Sequence, residues 1–283
     1  MSHIVHVNSI DLHYLDHPGG PPPLVLLHGL TANAHSFDGL VAASLSPRFR
    51  CLAPDLRGRG LSQKPPSGYS LGAHSADIIA LLDALTLERV VLVGHSFGAM
   101  LAIYLGGHYP ERVSRLVIID GAESAAHPRV AEAIKPTLSR LERVYPSWET
   151  YRREMQAMPF LHDTWNDDLE RYYRADVRLN EDGTVQPRSR PDIIQEIVEH
   201  MIAEPWDEHI RRAQQPALLI NAAGPYGPPG APPLISTQEA QRTAADLPNG
   251  HYLQVQGNHL TMIFGPNAQT VAQAIAEFVA EEE

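Results

Sequence analysis

In GHSFG, residues 94 to 98, one serine stands between two glycines, each two residues away. A serine hydroxyl acts as a nucleophile when an imidazole takes its proton and a carboxylate orients that imidazole. The flanking residues say where this serine sits. RVVLV before it is a short β-branched run of strand type, and AMLAIYLGGHY after it repeats its apolar residues at helical spacing. Ser96 therefore occupies a strand-to-helix turn. There the neighbouring backbone passes too close for a Cβ, a need that Gly94 and Gly98 meet. The spacing predicts an exposed nucleophile at the carboxyl end of a strand.

The base must come from one of fifteen histidines. His259, in VQGNHLTMIF, follows the last predicted strand in a loop after Gly257, at the edge where catalytic loops gather, and is the expected base. His28, in LLHGL, reads as a structural turn histidine, and His95 as a neighbour of the serine that points into the fold. A tetrahedral intermediate also needs two backbone N–H donors for its oxyanion. Phe97, the residue after the nucleophile and the first of the helix, supplies one. The loop HGLTANAHSF supplies the other, with Leu30 the first choice and Thr31 the reserve.

These residues need a frame. HIVHV and DLHYL read as a hairpin, PPPLVLLHG as a third strand, and RCLAPD, the run at 89–93, SRLVIID, PALLINA and HYLQVQ as five more. Between them lie helices near 35–45, in SLGAHSADIIALLDALTL, at 98–109, near 236–246, and from about 267. Strands alternating with helices predict an α/β fold, a parallel sheet covered on both faces with its site at the strands' carboxyl ends. From about 122 to 212 the alternation stops, and charged helices carry aromatics and methionines. This predicts a helical cap, 122–212, inserted into a core of 1–121 and 213–283. In PDIIQEIVEHMIAEPW, Ile193, Ile194, Ile197, Val198, Met201 and Ile202 share one helical face. Trp148, Tyr151, Met155 and Met158 recur at spacings of three and four; the first three are candidates to face the substrate, with a plain core stripe as the alternative.

Composition narrows the function. With 22 Lys plus Arg against 33 Asp plus Glu the formal charge is −11, without a basic stripe, which argues against nucleic acid and anionic membranes as partners. The single cysteine, Cys51, lies in a strand and is expected to be a small buried residue. No run approaches the ~18 apolar residues of a membrane span, so a soluble, cytoplasmic protein is expected. Phosphate-loop, H-E-x-x-H and CxxC motifs are absent, so no metal or organic cofactor is expected.

LLHGLTAN, LAPDLRGRGLS, GHSFGA and YPERVSRLVIIDG together resemble the α/β-hydrolase superfamily, in its serine-hydrolase branch with a helical cap. The resemblance covers nearly all of the chain outside the cap. It implies a mostly parallel eight-stranded sheet, and a serine where haloalkane dehalogenases and epoxide hydrolases carry aspartate. In DLRGRG, Gly58 and Gly60 resemble the superfamily's turn after strand four, with Asp55 and Arg57 structural. Most relatives place the triad acid after the seventh strand, yet residues 221–235, NAAGPYGPPGAPPLI, hold no Asp or Glu. A minority place it at the end of strand six, which here reads LVIIDGAES, so Asp120 is the expected acid with Glu123 as the alternative. Asp207, Glu239 and Asp246 are the remaining candidates. The resemblance implies hydrolysis of a small-molecule carboxylic ester or lactone. Thioester or C–C bond hydrolysis by the same triad, or a low-turnover ligand receptor, are the alternatives.

Overall fold

The computed structural model describes residues 1–126, 132, 134–161, 163–228 and 230–281. β1 (Ser2–Val7) and β2 (Ile10–His17) form an antiparallel hairpin. β2 also runs antiparallel to β4 (Phe49–Pro54), which lies beside β3 (Gly20–Leu27). β5 (Val90–His95) and β6 (Val113–Ile119) continue the sheet in parallel. β7 (Val177–Leu179) and β8 (Val185–Pro187) form a small separate hairpin in the insertion, which the sequence reading did not anticipate. β9 (Ala217–Ala222) and β10 (Gly250–Val255) complete the parallel part. The order β1-β2-β4-β3-β5-β6-β9-β10 contains all eight strands expected from the sequence.

Alternate residues of the central strands enter two different cores, because a strand's side chains alternate between its faces. Val25, Leu27, Val90 and Leu92 join one face with the helices α1 (Leu71–Ala84) and α2 (Phe97–His108). Leu24, Leu26, Val91 and Val93 join the other, with the helical segment 34–45 and the last helix of the chain. Burial on both faces explains why these strands read as continuous apolar runs. The segment 34–45, read from the sequence as one helix, is a tight turn, a single α turn and a widened turn in succession.

β3 lies between β4 and β5, and the chain leaves the ends of β3 and β5 toward opposite faces. Such a reversal opens a crevice at the carboxyl ends of the two strands. Ser96 stands beside it with φ 55° and ψ −117°, a conformation costly for a residue with a Cβ. The glycines permit it by close approach. A Cβ on Gly94 would meet the Gly98 carbonyl oxygen at 2.1 Å, and one on Gly98 would meet the Leu27 oxygen at 1.8 Å.

Between β6 and β9 the insertion contributes α3 (Trp148–Gln156), α4 (Asp167–Asp176), α5 (Pro191–Ala203) and α6 (Trp206–Arg212). α3 begins at Trp148, directly after Pro146 and the Ser147 cap. α6 packs on α2, with the His209 and Tyr104 rings 4.9 Å apart, so it belongs to the helical layer over the sheet. Helices α7 (Thr237–Asp246) and α8 (Gly265–Ala280) close the chain.

The elbow glycines set the first prediction. Gly98→Ala drives a Cβ into the β3 carbonyl and should lower the melting temperature by roughly 6–12 °C, as ~3 kcal/mol does in a protein of about this size. Gly72→Ala, whose Cβ would find nothing nearer than the Tyr104 hydroxyl at 3.7 Å, should leave it unchanged or raise it. Equal melting temperatures for the two variants, measured by calorimetry, would remove the close-approach explanation.

Candidate active site

Ser96, His259 and Asp120 converge at the crevice. His259 Nε2 lies 3.0 Å from Ser96 Oγ, and its Nδ1 lies 2.6 Å from Asp120 Oδ2. A carboxylate at Nδ1 fixes the imidazole as the tautomer with its proton there, leaving the Nε2 lone pair facing the serine hydroxyl. Asp120, 1% exposed, is itself held: Oδ1 accepts from Asn221 Nδ2 at 2.7 Å and from the Ala222 N–H at 3.2 Å. It follows β6 with φ 47°, a left-handed turn that aspartate tolerates and that aims its carboxyl across the end of β9. Glu123 lies elsewhere, its N–H donating to Thr243 at 3.3 Å, in a separate hollow with Glu204 and Arg242. Of the other candidate acids, Glu239 closes the capping box of α7, Asp246 pairs with Arg242, and Asp207 lies in the first turn of α6.

Leu30 and Phe97 border the same cavity as Ser96. Among the described residues no acceptor takes the Leu30 or Phe97 N–H. Thr31, the reserve donor, uses its carbonyl and hydroxyl oxygens to accept from Arg140. The Phe97 ring packs edge-on against His74, with the buried Arg59 guanidinium 5.4 Å from its centroid.

His95 points inward, as expected, and its position also bears on the site. Its Nε2–H donates to the His259 carbonyl at 2.7 Å, and the two rings lie 4.8 Å apart. Burial, reinforced by the neighbouring His259, pushes the His95 pKa down to about 3, so it holds the base loop as a neutral donor. His28 donates from Nδ1 to the Gly29 carbonyl and accepts the Leu56 N–H at Nε2, which ties the ends of β3 and β4. Burial, then the nearby Arg59 charge, pushes its pKa down to about 4. Asp55 is buried, and burial alone would raise its pKa; bonds from His13 and from the Leu61 and Ala34 N–H groups hold it down at about 2. Arg57 forks onto Asp77 at 2.6 Å, and Gly58 and Gly60 take φ 79° and 47° in the turn between them. Cys51 is fully buried, its thiol pushed up to about 12 by burial.

A mostly apolar cavity opens over Ser96. The insertion supplies its far wall, with Leu138, Arg140, Phe160, Tyr172, Met201 and Ile202 among the lining. Trp148, Tyr151 and Met155 are not there. Tyr151 is fully buried against Tyr145 and Tyr173, with its hydroxyl on Asp176, and Met155 is 1% exposed in the same core. Trp148 stacks beneath Arg174, 4.8 Å from its guanidinium carbon, at a different hollow. Helical spacing marks a buried face without saying which core it faces, and this face packs within the insertion. Met158 is half-buried against the same core. On α5 the expected face is buried at Ile193, Ile194, Ile197 and Met201, and Met201 borders the cavity together with Val198 and Ile202. Tyr226, in the loop after β9, stacks on Phe160 at 4.6 Å and meets the His259 ring edge-on at 5.5 Å. The sequence reading singled out neither Arg140 nor Tyr226. An isolated arginine in a charged segment and a tyrosine in a Pro/Gly loop carry no spacing signal.

Among the described residues no group of three or more His, Cys, Asp or Glu is placed to hold a metal ion, and no helix is long and apolar enough to cross a membrane.

A 2-(acetamidomethylene)succinate hydrolase of Mesorhizobium japonicum is 39% identical over 102 residues, 36% of this chain and 36% of that protein. An epoxide hydrolase of Siraitia grosvenorii is 37% identical over 128 residues, 44% of this chain and 40% of that one. An uncharacterised protein of Mycobacterium tuberculosis is 40% identical over 101 residues, 36% of this chain and 29% of that protein. The match thus spans well under half the length of each of these curated relatives. Among solved structures, an E-2-(acetamidomethylene)succinate hydrolase superposes with a TM-score of 0.83 at 22% identity over 99% of both chains. The enol-lactonase of Burkholderia xenovorans superposes at 0.74 and 20% identity, over 98% of this chain and 100% of that one. At such identities the superpositions speak for the fold. The sequence model of the alpha/beta hydrolase fold matches residues 22–266, from β3 through the elbow, the insertion and His259 into α8, and on that match the chain belongs to the alpha/beta hydrolase family.

Proposed function

We propose that the protein is a serine hydrolase that cleaves small-molecule carboxylic esters, lactones among them, through an acyl-enzyme on Ser96. The observation that carries this reading is the continuous relay from Ser96 Oγ to His259 at 3.0 Å and from His259 to Asp120 at 2.6 Å, opening into an apolar cavity. Ser96 Oγ attacks the ester carbonyl carbon while its proton passes to His259 Nε2. The Leu30 and Phe97 N–H groups receive the negative charge that forms on the carbonyl oxygen. The C–O bond then breaks, and the alcohol leaves with the proton from His259. Water activated by the same imidazole attacks the acyl ester, releasing the acid and restoring the serine.

The serine also favours acyl substrates over epoxides, despite the similarity to an epoxide hydrolase. Attack by a serine on an epoxide carbon would leave an ether, which has no carbonyl for water to attack. An ester or lactone leaves an acyl-serine that hydrolyses. The neighbouring structure named an enol-lactonase supports keeping lactones within the substrate class.

Two predictions test the reading. With an aryl acetate as substrate, Ser96→Ala should lose on the order of 10⁶ in turnover. Asp120→Asn should lose roughly 10⁴, while Glu123→Gln should stay within about tenfold of the wild type, as expected for a half-buried side chain away from the reaction. Circular dichroism confirms that each variant is folded; a Ser96→Ala protein retaining a tenth of the activity removes the proposed nucleophile. The second concerns the cavity wall. Met201→Ala should raise the rate for a branched or longer acyl group relative to acetate by about tenfold, the scale of one or two methylenes in an apolar pocket. Trp148→Ala should leave the relative rates across an acyl series within about threefold, in keeping with its place away from the cavity; a shift as large as that of Met201→Ala would put Trp148 back at the substrate.

A further inference from the structure

The insertion is joined to the catalytic loops by buried polar bonds as well as by apolar packing. Asn33 Nδ2 donates to the Tyr172 carbonyl at 3.2 Å, and Asn258, next to the base, donates from Nδ2 to the Phe160 carbonyl at 2.8 Å. The third such link is Arg140. It is 3% exposed, and its Nη1 lies 2.7 Å from Asp176 Oδ2 while its Nη2 donates to the Thr31 carbonyl at 3.2 Å and the Thr31 hydroxyl at 3.3 Å. Tyr151 hydrogen-bonds the same Asp176 oxygen from behind.

A buried guanidinium is costly unless its partners are fixed. Here they belong to two units. Asp176 and Tyr151 are in the insertion, and Thr31 is in the loop after β3. Burial alone works against the charge on Arg140, and the Asp176 carboxylate more than restores it. The planar fork therefore stays charged and directional, with one edge on the insertion and one on the loop. Thr31 is bonded through its carbonyl, so the contact constrains the main chain one residue beyond the Leu30 N–H.

We propose that Arg140 is a positioning residue: held by Asp176, it pins the Thr31 carbonyl so that the Leu30 N–H is aimed at the oxyanion only while the insertion is seated over the crevice. This rests on the reading of Leu30 as an oxyanion donor. In that arrangement the insertion does more than bound the cavity, because seating it completes the electrostatic part of the catalytic machinery. Misplacing one donor costs about 10²-fold or more in rate.

The test uses the whole chain with Arg140→Met and Arg140→Lys. A fluorophosphonate counts the active sites in each preparation, aryl acetate turnover gives kcat and KM, and hydrogen exchange follows the peptide covering residues 28–37. Arg140→Met should titrate to the same number of sites, lose about 10²-fold in kcat with KM within about threefold, and exchange faster in 28–37. The rate of phosphonylation should fall in step with kcat. Arg140→Lys keeps the charge beside Asp176 with a single contact point and should lose about tenfold; if Arg140→Met does not fold, the lysine variant decides by the same criteria. Three outcomes overturn the proposal. One is a kcat within threefold of the wild type, and another is a kcat loss matched by a loss of titratable sites. The third is a rise in KM with kcat unchanged, which would make Arg140 a substrate-binding group. Absence of turnover and labelling in the wild type would instead refute the hydrolase reading. Exchange in 28–37 still answers whether Arg140 holds the loop, and unchanged exchange overturns the proposal by itself.

Discussion

The site depends on one close passage of backbone, Gly98 against the carbonyl oxygen of Leu27. A Cβ at Gly98 would stand 1.8 Å from that oxygen, and one at Gly94 would stand 2.1 Å from the Gly98 oxygen. The approach brings the start of α2 down onto β3, which forces the connection from β5 to turn within one residue. Ser96 takes that turn with positive φ. Two consequences follow from the same contact. The hydroxyl is lifted clear of the sheet edge, and the loop after β3 lies alongside the first N–H of α2, which like every helix-terminal N–H has no acceptor within its helix. The strain at Ser96 is supported by the parallel sheet beneath it, since β5 pairs with β3 on one side and β6 on the other.

From the sequence the sheet and the elbow were legible because each has a local signal. The inner strands read as apolar runs bounded by turn residues and the N-terminal hairpin as an alternation of polar with apolar, and the G-x-S-x-G spacing records a steric need that only glycine meets. His259 was legible from its place after the last strand, and Asp120 from the lack of any carboxylate in residues 221–235 together with the family resemblance. The insertion was not legible in the same way. The stripe Trp148, Tyr151, Met155 has clear helical spacing, yet its face packs on Tyr145, Tyr173 and the Arg140–Asp176 pair, away from the cavity. A period of 3.6 states that a face is buried, and nothing in it separates a core of the insertion from a substrate wall. The β7–β8 hairpin escaped for a related reason, since three-residue strands are too short for alternation to show.

Polar bonds around the triad were equally hidden, and they do much of the orienting. His95 holds the His259 carbonyl, Asn221 and the Ala222 N–H hold the Asp120 carboxyl, and Asn258 links the base loop to Phe160. Each joins residues far apart in the chain, so no sequence window contains both partners. Their energetic logic is shared. A buried donor left without an acceptor costs about 1–3 kcal/mol, so each bond resists movement of the loop it holds. Neutral His95 suits this task better than a charged imidazolium beside His259 would, because a second positive charge there would oppose protonation of the base.

Placing the carboxylate after β6 also changes what the loop after β9 can be. With Asp120 turning its side chain across the end of β9, β9 itself contributes only the Asn221 amide and the Ala222 N–H to the relay. The following loop is then free of the need to aim an acid. It carries instead the Pro- and Gly-rich AGPYGPPGAPP, whose Tyr226 stacks on Phe160 of the insertion and meets the His259 ring edge-on. That tyrosine touches both the base and the insertion, and it borders the cavity with them. The loop after β9 thus forms part of the cavity wall. The residue that makes this possible is Asp120, in a left-handed conformation one residue beyond its strand.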